Sequence, residues 1–158
     1  MFLEMRVSGI ALDPFTNTPI VILKDNSGDN ILPIWVGYSE ASSIAMELEK
    51  TPRVRPITHD LMKSVLDMVN CTISKIEVTE LKDNTFYSLM YILKDGKEIV
   101  IDSRPSDAIA IALRMGSPIF VNEQVIASAQ NIEIASDKKR LNDLLDEIPD
   151  EEFGKYKM

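Results

Sequence analysis

The chain has a single cysteine, Cys71, a single histidine, His59, and a single tryptophan, Trp35, among its 158 residues. One thiol excludes an internal disulfide and a zinc site built from several thiolates, and Cys71 reads as packing. No apolar run approaches the ~20 residues that span a bilayer. The start MFLEMRVSGIALDPF lacks the basic segment and long apolar core of a signal peptide. The expectation is a soluble protein of a reducing compartment, cytoplasmic and without membrane contact. Positive charge is scarce too, with 17 Lys and Arg against 25 Asp and Glu, a net charge of −8. An acidic surface repels phosphate backbones, which excludes a broad basic face for nucleic acid. Any phosphate chemistry has to be local.

What the chain does have is 45% hydrophobic and 27% charged residues, the composition of one globular domain with a sizeable core. There is no internal repeat and no low-complexity linker. Residues 123–158 hold nine acids and five bases, so −4 of the −8 falls there. This divides the domain into a core over 1–122 and a C-terminal helical extension with an acidic tail over 123–158.

The pattern predicts an α+β fold: a mixed, largely antiparallel sheet packed with three main helices plus a C-terminal helix. FLEMRVSGIAL and TPIVILKD read as strands paired across the turn residues of DPFTN. NILPIWV reads as a third strand, placed at an edge, a bulge or a strand start by Pro33, which cannot donate to a ladder. Trp35 in it is expected in the core, its indole nitrogen needing an acceptor. Ser39 is a candidate cap for a helix whose stripe of Ala41, Ile44, Ala45 and Leu48 faces the core. Glu40, Ser43, Glu47 and Lys50 then face solvent. Thr58 is the candidate cap of a second helix, with Leu61, Val65, Leu66 and Val69 as its buried face. From Thr72 to Ser103 three strands form a meander through hairpins at Asp83-Asn84 and Asp95-Gly96. The middle strand, FYSLMYIL, is apolar on both faces and expected to be covered on each side.

The segment IDSRPSDAIAIALRMG sets Asp102, Ser103, Arg104, Ser106 and Asp107 before a helix with no polar side. Ala108 to Leu113 are apolar without a break, so this third helix should be buried. Pro105 biases Arg104 away from the α region, which starts the helix at Pro105. Gly116 stops it. Arginine has no acceptor with which to cap, so the amides of Ser106 and Asp107 need other partners. One reading is structural, with Asp107 reaching back to the Arg104 amide and Arg104 pairing a carboxylate. The other makes the helix start a phosphate or metal site.

Five ordered blocks, NTPIVIL, LPIWVG, RPITHDLM, LKDNTFYSLM and IDSRPSDAIAIALRMGSPIFV, together resemble the bifunctional nuclease domain family of bacteria and plants over roughly the first 122 residues. The resemblance implies an α+β domain that hydrolyses DNA and RNA. Some bacterial relatives carry a UVR-type helical segment after this domain. The tail here reads as too short for a second domain beyond one helix, a departure that weakens the carry-over of a repair role.

The candidate site is derived from the residues themselves. Phosphodiester hydrolysis needs a nucleophilic water, charge stabilisation at the phosphoryl oxygens and help for the leaving oxygen. His59 is the only side chain whose unperturbed pKa lies near neutrality, which suits a general base or acid. Asp60, Asp102 and Asp107 are the candidate ligands for a divalent metal, Mg²⁺ or Mn²⁺. Asp60 and Asp107 join His59 as catalytic candidates. Arg55 and Arg104 are the candidate phosphate clamps. Arg55 belongs to KTPRVRPITH, which reads equally as a solvated loop. Glu40, at a helix start, is a further ligand candidate or ordinary N-terminal charge. The competing function is a non-catalytic homo-oligomeric module or a small phosphate-ligand binder. A homo-oligomer is expected in either case, because edge strands invite association.

Overall fold

A computed structural model describes residues 1–134 of the chain. The first hairpin is built from β1 (Phe2–Leu12) and β2 (Pro19–Asp25), paired antiparallel with a register shift between Val7 and Gly9. Strand β3 (Ile31–Trp35) pairs only with β2, so Pro33 stands on a sheet edge. Helices α1 (Tyr38–Leu48) and α2 (Thr58–Met68) follow. The meander comprises β4 (Thr72–Lys82), β5 (Thr85–Lys94) and β6 (Lys97–Ser103). Asp83 and Asn84 at φ 52° and 58°, then Asp95 and Gly96 at φ 51° and 75°, form its two-residue turns. Then come α3 (Pro105–Met115), β7 (Ile119–Asn122) and α4 (Glu123–Ile134).

The sheet has seven strands in the order β3-β2-β1-β7-β4-β5-β6. Only β4 and β7 are parallel. This is the expected α+β domain with a mixed, largely antiparallel sheet, three main helices and a fourth at residue 123. The acidic tail beyond residue 134 lies outside the described residues.

α3 runs through the centre. Arg104 holds the extended N-cap conformation, Pro105 is the first helical residue and Gly116 closes the helix at φ 68°. Ala108 to Ala112 are fully buried between α1 and α2 on one side and β4 and β5 on the other. Burying Ile109 and Ile111 stabilises the fold by about 1.5–3 kcal/mol each. This helix is why the site has a fixed frame: its N-terminus cannot move without opening the core.

Four expectations are corrected. Gly37 and Ile57, not Ser39 and Thr58, occupy the N-cap positions of α1 and α2. Leu61, Val65 and Val69 of α2 are exposed by about half, and His59 is the helix's one buried residue. Periodicity reveals that a helix has an apolar stripe, not that another element covers it. The outer face of β5 is also open, with Tyr87 42% and Leu93 37% exposed, because the helices cover only the face carrying Ser88, Met90 and Ile92. Trp35 is 43% exposed and shares its sheet face with its partner Ile20, while its indole nitrogen donates to Asp13 Oδ2 at 3.1 Å.

Candidate functional site

Three helices bring their polar residues to one cleft of about 400 Å³, lined in part by Glu40, Ser43, His59, Arg104 and Asp107. His59 and Asp107, separated by 48 positions, meet here: Nε2 lies 2.9 Å from Asp107 Oδ1. The other ring nitrogen, Nδ1, lies 2.6 Å from Ser43 Oγ. Arg104 donates from Nε to Asp107 Oδ2 and from Nη2 to Glu40 Oε1, both at 2.9 Å. His59 and Ser43 are buried, whereas the side chains of Asp107 and Arg104 are 30% and 67% exposed. The series Ser43, His59, Asp107, Arg104 therefore runs from the interior to the rim.

Behind it lies Arg114, whose side chain is 1% exposed. Its Nε donates to Asp60 Oδ1 at 2.7 Å and its Nη2 to Ser43 Oγ at 3.0 Å. Guanidinium has no acceptor, so the Ser43 oxygen accepts from Arg114 and its hydroxyl proton is directed at His59 Nδ1. The matching tautomer carries its proton on Nε2, donated to Asp107. Two carboxylates flank Arg104, and the Asp107 contact followed by Glu40 pushes its pKa further up. Glu40 holds its place because Gly37 has no side chain: a Cβ there would stand 2.3 Å from Glu40 Oε2.

Asp60 faces away from this series. Burial by itself raises its pKa, but hydrogen bonds from Arg114 and the Ile57 amide, with the charges of Arg114 and Arg53, outweigh it and hold the carboxyl below its ordinary value. Asp107 does not bond the Arg104 amide in a capping box, since both its oxygens are taken by side chains. Asp102 pairs across the sheet with Leu89, one position from Met90, which the helices bury, and so points to the opposite sheet face. Arg55 is exposed and does not line the cleft. Its neighbours Lys50 and Arg53 are neutralised by Glu47, and Arg53 also by Asp60.

The expected metal ligands Asp60, Asp102 and Asp107 thus do not converge. Among the described residues no group of three or more His, Cys, Asp or Glu side chains is placed to hold a metal ion. Glu40 and Asp107 are nearest to such a group, and both are engaged by Arg104. This donor set does not fit a resident divalent ion.

Ser43 and Arg114 are the residues that sequence reasoning missed. Ser43 was placed on the solvent side of α1, and Arg114 closes an otherwise apolar run. The one available signal was the charge itself: an arginine inside a helix expected to be buried needs an acidic partner.

Among the described residues no helix is long and apolar enough to cross a membrane. An uncharacterized protein of Mycobacterium tuberculosis is 39% identical over 126 residues, covering 80% of this chain and 75% of its own length. Bifunctional nuclease 1 of Oryza sativa is 30% identical over 109 residues, covering 67% of this chain. Bifunctional nuclease 1 of Arabidopsis thaliana is 26% identical over 121 residues. The matched segments are 33% and 37% of these two plant proteins. The bifunctional nuclease domain model matches residues 21–133, a span that contains every residue of the cleft. With that match over well more than half its length, the chain belongs to the bifunctional nuclease domain family.

Proposed function

We propose that this protein hydrolyses phosphodiester bonds of DNA or RNA at the cleft between α1, α2 and α3. The observation that carries the reading is the hydrogen-bonded series Ser43–His59–Asp107–Arg104, which reaches from a buried imidazole to an exposed guanidinium. Arg104 keeps donors beyond those it spends on Glu40 and Asp107, and these meet the phosphoryl oxygens. A water attacking phosphorus loses a proton to Ser43 Oγ as the Ser43 proton passes to His59 Nδ1. The Asp107 carboxylate, accepting from Nε2, stabilises the imidazolium that results. The leaving oxygen departs in line on the far side of phosphorus and takes its proton from solvent, and the imidazolium then gives up through Ser43 the proton it received. No step runs through a metal, and the Mg²⁺ and Mn²⁺ conditions below measure what an ion carried by the substrate adds.

The test is cleavage of labelled single-stranded DNA and RNA by the full chain in EDTA, Mg²⁺ or Mn²⁺, beside His59→Ala, Asp107→Asn and Ser43→Ala. Each variant is first checked for fold by circular dichroism and thermal melting. Loss of the acid–base series lowers the rate by roughly 10²–10⁴-fold. Folded wild type that cleaves neither polymer, or folded variants that cleave equally well, refutes the reading.

A second reading, association with another copy of the chain, is favoured by a separate observation. The α2 stripe of Leu61, Val65 and Val69 is exposed, as are Ile99, Val100 and Ile101 on the edge strand β6, which pairs on one side with β5. Val65→Lys and Ile99→Lys should each lower the molar mass measured by light scattering while the fold is kept. A wild type that is monomeric at all concentrations sinks this reading and leaves the hydrolase intact.

A further inference from the structure

A second cavity of about 250 Å³ adjoins the cleft, and Arg104 is the wall they share. The N-terminus of α3 divides its residues between the two: Asp107 lines the first, Pro105 and Ser106 line the second. The second cavity is lined by no carboxylate, although acids outnumber bases in this chain by 25 to 17. Its charged group is Arg104, and its polar groups include Ser106 and Asn84.

Ser106 is the anomaly. Its residue is 7% exposed, yet its hydroxyl makes no hydrogen bond to any described residue. The hydroxyl keeps its opening onto the cavity, so its donor and acceptor are free for a ligand there. Asn84, exposed in a turn at φ 58°, lines the same cavity, and its side-chain amide has no partner among the described residues. The backbone adds to the same surplus of donors. Pro105 has no N–H, the Ala108 amide bonds the Arg104 carbonyl, and no side chain caps the helix, so the Ser106 and Asp107 amides stand at its open positive end. A hydroxyl, a carboxamide, the Ser106 amide and a guanidinium around a small cavity make a cradle for an anion of phosphate size.

We infer that this cavity binds the phosphodiester next to the scissile one, so that the preferred substrate is an oligonucleotide with at least two consecutive phosphates, gripped on either side of Arg104. This rests on the hydrolase reading for the identity of the first phosphate, but the second site stands on its own donors. The ligand is an internal diester of the nucleic acid strand, not a terminal monoester.

Amide NMR of the full chain, titrated with inorganic phosphate and then with the trinucleotide TpTpT, reads the two cavities separately. Phosphate should shift the Ser106 amide and the Asn84 side-chain amide saturably, and Ser106→Ala should weaken that binding by roughly 10- to 100-fold, the loss of one hydrogen bond to a charged group. TpTpT should bind wild type more tightly than the same trinucleotide with one linkage made a neutral methylphosphonate, and Ser106→Ala should abolish the difference. Unmoved Ser106 and Asn84 resonances, or a preference for TpTpT that survives Ser106→Ala, overturn the inference. A preference for pTpT over TpTpT overturns the internal diester in favour of a terminal phosphate. Shifts at Ser106 without cleavage of any polymer would remove the hydrolase and keep the anion site, while cleavage without those shifts would do the reverse.

Discussion

Arg114 carries a charge in the interior, and its environment determines what the site can tolerate. With its side chain 1% exposed, it satisfies its donors on Asp60, the Ala110 and Ser43 carbonyls and the Ser43 hydroxyl. Asp60→Asn removes the balancing charge and leaves the guanidinium buried, so the fold should lose about 3 kcal/mol. The loss has a defined pH dependence. Because the folded-state pKa of Asp60 is depressed, its contribution is complete above the unfolded value of about 3.9 and disappears as pH falls through the lower folded value. Urea melts of wild type and Asp60→Asn should therefore differ fully at pH 7 and draw together only as pH falls below about 4 and through the lower folded value; a separation that stays constant down to the most acidic pH at which the protein still folds would contradict this account. The same geometry explains why Asp60, read from sequence as a catalytic ligand, serves Arg114 instead. An acid in a first helical turn looks identical in sequence whether its partner is a metal, an amide or an arginine 54 positions away.

At the scale of elements, α3 shows where local chemistry suffices. Pro105 fixes its start and Gly116 its end, and no neighbour is needed to specify either. Gly116 sits at φ 68° with open space where a Cβ would go, so Gly116→Ala is penalised only by the left-handed backbone. The expected loss is about 1 kcal/mol by thermal melting, with the cleft unchanged; a neutral substitution would mean that the helix end rearranges. The hairpin turns were legible for the same reason, since Asp83-Asn84 and Asp95-Gly96 adopt positive φ whatever surrounds them. Ser43 and the α2 stripe were not. Ser43 lies on the polar side of α1 by periodicity, and only the arrival of His59 and Arg114 from other helices turns that side inward. Leu61 and Val65 fail the other way, for an apolar stripe with nothing against it has the same sequence as a covered one. His59 and Asp107 could be identified as candidates by their chemistry and by their shared position at helix starts, but their contact depends on how α2 packs on α3.

The whole molecule is acidic, and its basic groups near the cleft are largely spoken for. Lys50 and Arg53 pair with Glu47, Arg53 also with Asp60, and Arg114 is buried. A strand entering the cleft therefore meets Arg104 and the helix end, not a basic surface. Each phosphate neutralised on a single strand contributes a slope of about −0.7 to log K against log salt. Two phosphate contacts at most predict a slope no steeper than about −1.4, so single-strand affinity should fall by less than about tenfold between 50 and 200 mM salt. Proteins that bind through six to ten phosphates lose about 10³–10⁵ over that range. Anisotropy titrations of a labelled single strand at several salt concentrations measure the slope directly. A shallow slope means that recognition comes from the few fixed donors around Arg104, and duplex DNA should then bind weakly. A slope steeper than about −4 would mean that six or more phosphates are neutralised by residues away from the cleft, and the charge argument made from the composition would fail with it.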